Sequence, residues 1–182
     1  DSKTGKTIKT IVSNEGLETK LASYNLPSKE FFELTTAKGN KLNAWMIKPK
    51  DFDANKKYPV FMYQYSGPGS QQVTNDWNGA DDYWFMMLSQ QGYIVACVDG
   101  RGTGFKGADF KKCTQKELGK LEVEDQIDAA KVFGTYTYVD QSRIGIFGWS
   151  YGGFMASNCI FQGADVFKTA IAVAPVTSWR YY

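Results

Sequence analysis

The residues Gly148-Trp149-Ser150-Tyr151-Gly152, with Gly153 next, fit the pattern G-x-S-x-G. A serine in that pattern is a candidate nucleophile. It must stand on a tight strand-to-helix turn, with small neighbours so that the backbone can fold sharply, and the start of the following helix aims N–H groups at a developing oxyanion. The alternative is a glycine-rich turn whose serine only caps a helix. A second group, Tyr63-Gln64-Tyr65-Ser66-Gly67-Pro68-Gly69, follows an apolar run, and Tyr65 there is a candidate hydrogen-bond donor to the same oxyanion. Taken alone, it reads better as a packing aromatic. A third group, Asp99-Gly100-Arg101-Gly102-Thr103-Gly104, lacks the Lys-Ser/Thr of a phosphate loop and the spacing of a dinucleotide turn. Its Arg101 is expected to pin the loop by pairing with Glu122, Glu124 or Asp125.

Other chemistries are thinned out by composition. The 182 residues contain no histidine, which removes the commonest general base and the commonest metal ligand. Cys97, Cys113 and Cys159 are too widely spaced for a metal site or a disulfide framework, and Cys97 and Cys159 sit in apolar stretches as small buried hydrophobes. No cofactor and no metal are expected. A net charge of +2 argues against nucleic-acid binding. No apolar run approaches the roughly 20 residues of a bilayer span. The first residues form no charged-then-apolar leader, so any signal or anchor is expected outside these residues or not at all.

The elements that must position these groups alternate. Phe31 to Thr36 and Leu42 to Ile47 read as a hairpin around Ala37-Lys38-Gly39-Asn40. Val60 to Tyr65, Tyr93 to Val98, Arg143 to Phe147 and Thr169 to Ala174 read as buried strands. Helical spacing links Tyr83, Met86, Met87 and Gln90, and again Val123, Ile127 and Ala130; a third helix follows Ser150. Strands separated by crossover helices imply an α/β fold, a mostly parallel sheet with helices on both faces. Residues 1–28 read differently: a loose strand from Thr7 to Val12, then a short helix capped by Asn14 and stopped by Pro27, with Leu17, Leu21 and Tyr24 on one face. A sheet cut after Thr169 to Ala174 would leave an unpaired edge.

Together with Glu122-Val123-Glu124-Asp125-Gln126 and the run Ala172-Val173-Ala174-Pro175-Val176-Thr177-Ser178-Trp179-Arg180-Tyr181-Tyr182, the three groups resemble the prolyl oligopeptidase family of serine peptidases, most of all its dipeptidyl-peptidase branch. The matches run from about Leu26 to Tyr182. The resemblance implies that residues 29–182 are the N-terminal portion of an α/β-hydrolase catalytic domain and residues 1–28 the end of a β-propeller and a linker. It implies Ser150 as nucleophile, the Tyr151 N–H and Tyr65 hydroxyl as oxyanion donors, and Tyr151, Val176, Trp179 and Tyr182 as the pocket for a penultimate proline or alanine. It further implies a peptide substrate, a homodimer of the full-length protein, and a place outside the cytoplasm, periplasmic or at the cell surface. In this fold the acid and histidine follow the serine in chain order, so the chain reads as an internal fragment, expected to be inactive alone. Two alternatives are another peptidase or esterase of the same fold and a non-catalytic binding protein that has lost its triad.

Overall fold

The structure is a computed structural model that describes residues 1–76 and 79–182. Its core is one six-stranded sheet in the order β1-β2-β4-β3-β5-β6. The strands are β1 (Glu30–Thr35), β2 (Lys41–Ile47), β3 (Tyr58–Tyr63), β4 (Ile94–Asp99), β5 (Val139–Trp149) and β6 (Phe167–Val173). β1 and β2 pair antiparallel and β2 joins β4 antiparallel, whereas β4, β3, β5 and β6 run parallel. The hairpin turn forms where expected, with Gly39 at φ 83°.

The helices are α1 (Glu15–Ala22), α2 (Ala80–Gln90), α3 (Ala108–Lys112), α4 (Leu121–Gly134) and α5 (Tyr151–Gln162). Alternation along the central strands divides their side chains between two layers. Ala44, Met46, Ala96, Val98, Ile144 and Ile146 pack with Val123, Phe133, Met155 and Cys159 of α4 and α5. Trp45, Ile47, Val95 and Cys97 pack with Phe85 of α2 on the other face. Sheet strands buried on both sides need a near-continuous apolar run, and every residue of β4 is buried.

Several elements differ from the sequence reading. β3 begins and ends two residues earlier than Val60 to Tyr65; the Gln64 N–H still reaches the Phe147 carbonyl of β5 at 3.1 Å, and the extended run is broken by Ser66, which takes a left-handed φ of 61°. Thr7 to Val12 forms no strand. No neighbouring strand supplies hydrogen bonds there, and Ile8, Ile11 and Val12 are exposed. α1 forms, but Asn14 sits in the left-handed region with no side-chain cap bond, and the helix ends at Ala22, well before Pro27. α3 and the 3₁₀ turn Trp179–Tyr181 were not signalled by any apolar periodicity. β6 is an edge strand, with Ile171 and Val173 about half exposed. No described helix is long and apolar enough to cross a membrane.

Candidate active site

Ser150 stands in the turn between β5 and α5 with φ 53° and ψ −116°, a backbone conformation that L residues avoid. Three contacts hold it there. Its own N–H donates to the Val173 carbonyl on β6 at 2.8 Å, its carbonyl accepts the first helical bond from Phe154, and the Gln64 side-chain amide donates to the Gly152 carbonyl at 2.8 Å. The glycines matter because the turn is crowded. A Cβ on Gly152 would meet the Gln64 carbonyl oxygen at 2.6 Å, and one on Gly148 would collide with the Gly152 backbone. The N–H of Tyr151 opens α5 and lies among the first-turn donors that a helix leaves unpaired. It is therefore available to an oxyanion formed over Ser150.

Tyr65 lies two residues past β3, on the loop that faces α5. Its ring centroid is 6.2 Å from that of Tyr151, and its hydroxyl has no hydrogen-bond partner among the described residues. The loop is pinned from below. The Gln126 side-chain amide donates to the Val98 carbonyl at 2.8 Å and to Ser66 Oγ at 3.3 Å. Asp99 accepts the N–H groups of Gln72 and Val73 at 2.8–3.1 Å. Burial pushes the Asp99 carboxyl up to about 6, with the two N–H bonds pulling the other way.

Tyr151 and Trp179 form one wall beside Ser150. Their rings lie 5.4 Å apart, Phe154 packs on Trp179 at 5.3 Å, and Tyr182 lies 5.4 Å beyond it. Val176 is half-buried on the segment between β6 and the 3₁₀ turn. The structure thus gathers Tyr151, Trp179 and Tyr182 into one aromatic group, with Tyr182 at its open, exposed end.

Two residues missed as site components hold this wall. The Tyr151 hydroxyl donates to Glu122 Oε1 at 2.7 Å, and Glu122 Oε2 accepts the Gly119 N–H at 3.1 Å. Glu122 is fully buried with its two oxygens taken by these donors, and it makes no ion pair with Arg101 among the described residues. Burial first, then the Glu122 carboxylate, holds the Tyr151 phenol far above its ordinary value. Arg101 instead grips Asp125 through Nε and Nη2 at 2.7–3.0 Å and reaches Glu124 at 2.7 Å. Thiolate chemistry is disfavoured at the two buried cysteines, since burial pushes Cys159 up to about 12 and Cys97 well above the usual range. No group of three or more metal-ligating side chains occurs among the described residues.

Comparison with known proteins places the chain in a family. Residues 80–182 match the model of the prolyl oligopeptidase family. The chain is 47% identical over 174 residues to a probable dipeptidyl-aminopeptidase B of Paracoccidioides lutzii, covering 95% of this chain and 19% of that protein. It is 42% identical over 183 residues to dipeptidyl peptidase 4 of Trichophyton equinum, covering 100% of this chain and 23% of that one. The crystal structure of Porphyromonas gingivalis dipeptidyl peptidase 4 superposes with a TM-score of 0.92 at 47% identity, over 97% of this chain and 25% of that one. The chain spans about a fifth to a quarter of the length of these relatives. A serine on a strained strand-to-helix turn, an α/β sheet beneath it and this family match lead to one conclusion: the chain belongs to the prolyl oligopeptidase family.

Proposed function

We propose that the protein of which these residues form part is a serine exopeptidase that releases N-terminal Xaa-Pro or Xaa-Ala dipeptides through an acyl-enzyme on Ser150. The observation that carries this reading is the juxtaposition of the strained Ser150 turn with the wall of Tyr151, Trp179 and Tyr182. Ser150 Oγ adds to the carbonyl carbon of the substrate's second residue, and the charge on the carbonyl oxygen is met by the Tyr151 N–H and the Tyr65 hydroxyl. Collapse breaks the C–N bond, the leaving amine takes up a proton, and water then hydrolyses the dipeptidyl ester. The proton from Ser150 needs an acceptor. No histidine lies within the 182 residues, and in this reading the base comes from the longer protein.

Aromatic walls suit proline because its ring is apolar, compact and rigid, so it loses little freedom on binding. Val176 completes the box in this reading. Residues 29–182 then supply the first part of the catalytic domain. Residues 1–28 close a propeller, which fits the exposure of Ile8, Ile11 and Val12 here. The full-length protein is proposed to be a homodimer. The test is release of chromophore from Gly-Pro, Gly-Ala and acetyl-amino acid substrates by the full-length protein and its Ser150→Ala variant. Fast release from Gly-Pro, lost in the variant, is expected; preference for the acetylated substrate would sink the reading.

A further inference from the structure

Val60 and Met62 of β3 send apolar side chains into the layer beneath α4 and α5, and strand alternation places the next side chain of that row at position 64. The residue there is glutamine. It is 1% exposed and its amide is only half satisfied: Nε2 donates to the Gly152 carbonyl at 2.8 Å, whereas Oε1 is buried without a partner among the described residues. A buried amide oxygen left unpaired costs stability. Methionine, of similar length and volume, would continue the apolar row without that cost. Core packing thus gives no reason for an amide at this place, and the reason lies in what its one bond joins.

That bond joins the two halves of the proposed site. Gln64 directly precedes Tyr65, and Gly152 lies in the first turn of α5, just after Ser150. The junction is stiff. The Gln64 N–H donates to the Phe147 carbonyl of β5 at 3.1 Å, and the two chains run so close that a Cβ on Gly152 would meet the Gln64 carbonyl oxygen at 2.6 Å. On the other side of Tyr65, the buried Ser66 Oγ accepts from the Gln126 amide of α4 at 3.3 Å. The Tyr65 ring itself has little room. A Cβ on Gly67 would lie 2.6 Å from Tyr65 Cε1 and 3.4 Å from Tyr151 Cγ, so the missing side chain of Gly67 leaves the slot that the ring fills. With ring and backbone both confined, the place of the Tyr65 hydroxyl relative to Ser150 follows from how residues 64–66 are seated on α5.

We propose that Gln64 is a positioning residue: its amide grips the first turn of α5 and thereby sets the Tyr65 hydroxyl in register with the Tyr151 N–H over Ser150. The inference rests on the peptidase reading above. In that reading Gln64 touches neither the substrate nor the reacting atoms and acts through Tyr65 alone. Its contribution therefore belongs to the transition state and not to substrate binding by the wall of Tyr151, Trp179 and Tyr182.

The experiment measures chromophore release from a Gly-Pro substrate, and the melting temperature, for the full-length protein and its Gln64→Met, Gln64→Leu, Tyr65→Phe and Gln64→Met/Tyr65→Phe variants. Tyr65→Phe is expected to lower kcat about 100-fold and Gln64→Met about 10-fold, with KM within about 2-fold of wild type. Gln64→Leu, which also lacks the donor, should match Gln64→Met, and both should melt near the wild-type temperature. On top of Tyr65→Phe, Gln64→Met should cost less than about 2-fold, because the group it positions is already gone. A wild-type kcat in Gln64→Met, or an undiminished 10-fold loss on top of Tyr65→Phe, overturns the positioning role while leaving the peptidase reading intact. Unfolding of both Gln64→Met and Gln64→Leu overturns it too, since the amide would then be a tie that the fold requires. A wild-type kcat in Tyr65→Phe takes the hydroxyl out of the reaction and the proposal with it. Absence of Gly-Pro release by the wild-type protein overturns the peptidase reading as well.

Discussion

The hydroxyl of Tyr151, the residue after Ser150, donates a 2.7 Å hydrogen bond to the carboxylate of Glu122, which has no solvent exposure. One side chain thus ties the start of α5 to the start of α4. In the proposed reaction the Tyr151 N–H meets the oxyanion while its ring forms a wall of the proline pocket, so in that reading the tether fixes both functions at once. A buried carboxylate is costly unless its oxygens are satisfied, and Glu122 uses Tyr151 on one oxygen and the Gly119 N–H on the other.

Removing one partner should therefore hurt more than removing both would suggest. Tyr151→Phe leaves Glu122 Oε1 without a donor and is expected to cost about 1–3 kcal/mol in urea unfolding of the full-length protein. Glu122→Leu strands both the phenol and the Gly119 N–H. The double variant strands only the N–H, so its cost should fall short of the sum of the singles. Strict additivity would show that the pair is not coupled. In Glu122→Leu the freed ring should raise KM for Gly-Pro substrates more than it lowers kcat.

The backbone of Ser150 gives a second test. At φ 53° and ψ −116° any Cβ is strained, whereas glycine is at ease. Ser150→Ala and Ser150→Gly should both be inactive. The glycine variant should nonetheless be more stable than the alanine variant by about 0.5–1 kcal/mol, the relief of strain outweighing the entropy that glycine adds to the unfolded chain. Equal melting temperatures would mean that the turn stores no strain.

Asp99 sets a pH dependence. Its folded value of about 6 lies above the ordinary carboxylate value of 3.8, chiefly through burial. Between those values the folded state holds more protons than the unfolded one. The associated stability is fully present below about pH 4 and is lost as pH rises through about 6, an upper bound of roughly 3 kcal/mol. Asp99→Asn removes the titration, so the difference in unfolding free energy between wild type and variant should change across pH 4 to 6 and level off above it. A pH-independent difference would refute the assignment.

Much of this was legible in the sequence because it was local. The strand before Ser150, the glycines around it and the hairpin at Gly39 each follow from patterns within a few residues. Burial of Cys97 and Cys159 followed from their apolar surroundings. What escaped spans distance. Glu122 and Tyr151 are 29 positions apart, and first-turn glutamates look alike whether they face a helix dipole, an arginine or a phenol. The end of β3 was misplaced because Tyr63-Gln64-Tyr65 continues a strand-like composition past the point where the Gln64 side chain bonds the Gly152 carbonyl and Gln126 bonds Ser66 Oγ. Tertiary hydrogen bonds overrode local propensity there.

The same distance problem hid which acid Arg101 would choose, and the answer makes an asymmetric prediction. Asp125 has no side-chain exposure, while Arg101 is 18% exposed and has Glu124 as a second partner. Losing Asp125 leaves a guanidinium that can turn to Glu124 and water. Losing Arg101 leaves a buried carboxylate with only the Arg101 backbone N–H at 2.7 Å and a long bond from Asn40 at 3.4 Å. Arg101→Ala is thus expected to cost about 3–5 kcal/mol and Asp125→Ala less. Arg101→Lys should recover only part of the loss, because an ammonium cannot make the two-toothed contact. The loop they pin bonds to the one that carries Tyr65, through Gly69 N–H to the Gly102 carbonyl and Gly104 N–H to the Ser70 carbonyl. Dipeptide release by the full-length protein, in the proposed reading, should therefore fall in Arg101→Ala even under conditions where it remains folded, and unchanged kcat/KM would uncouple this loop from Tyr65, the proposed oxyanion donor.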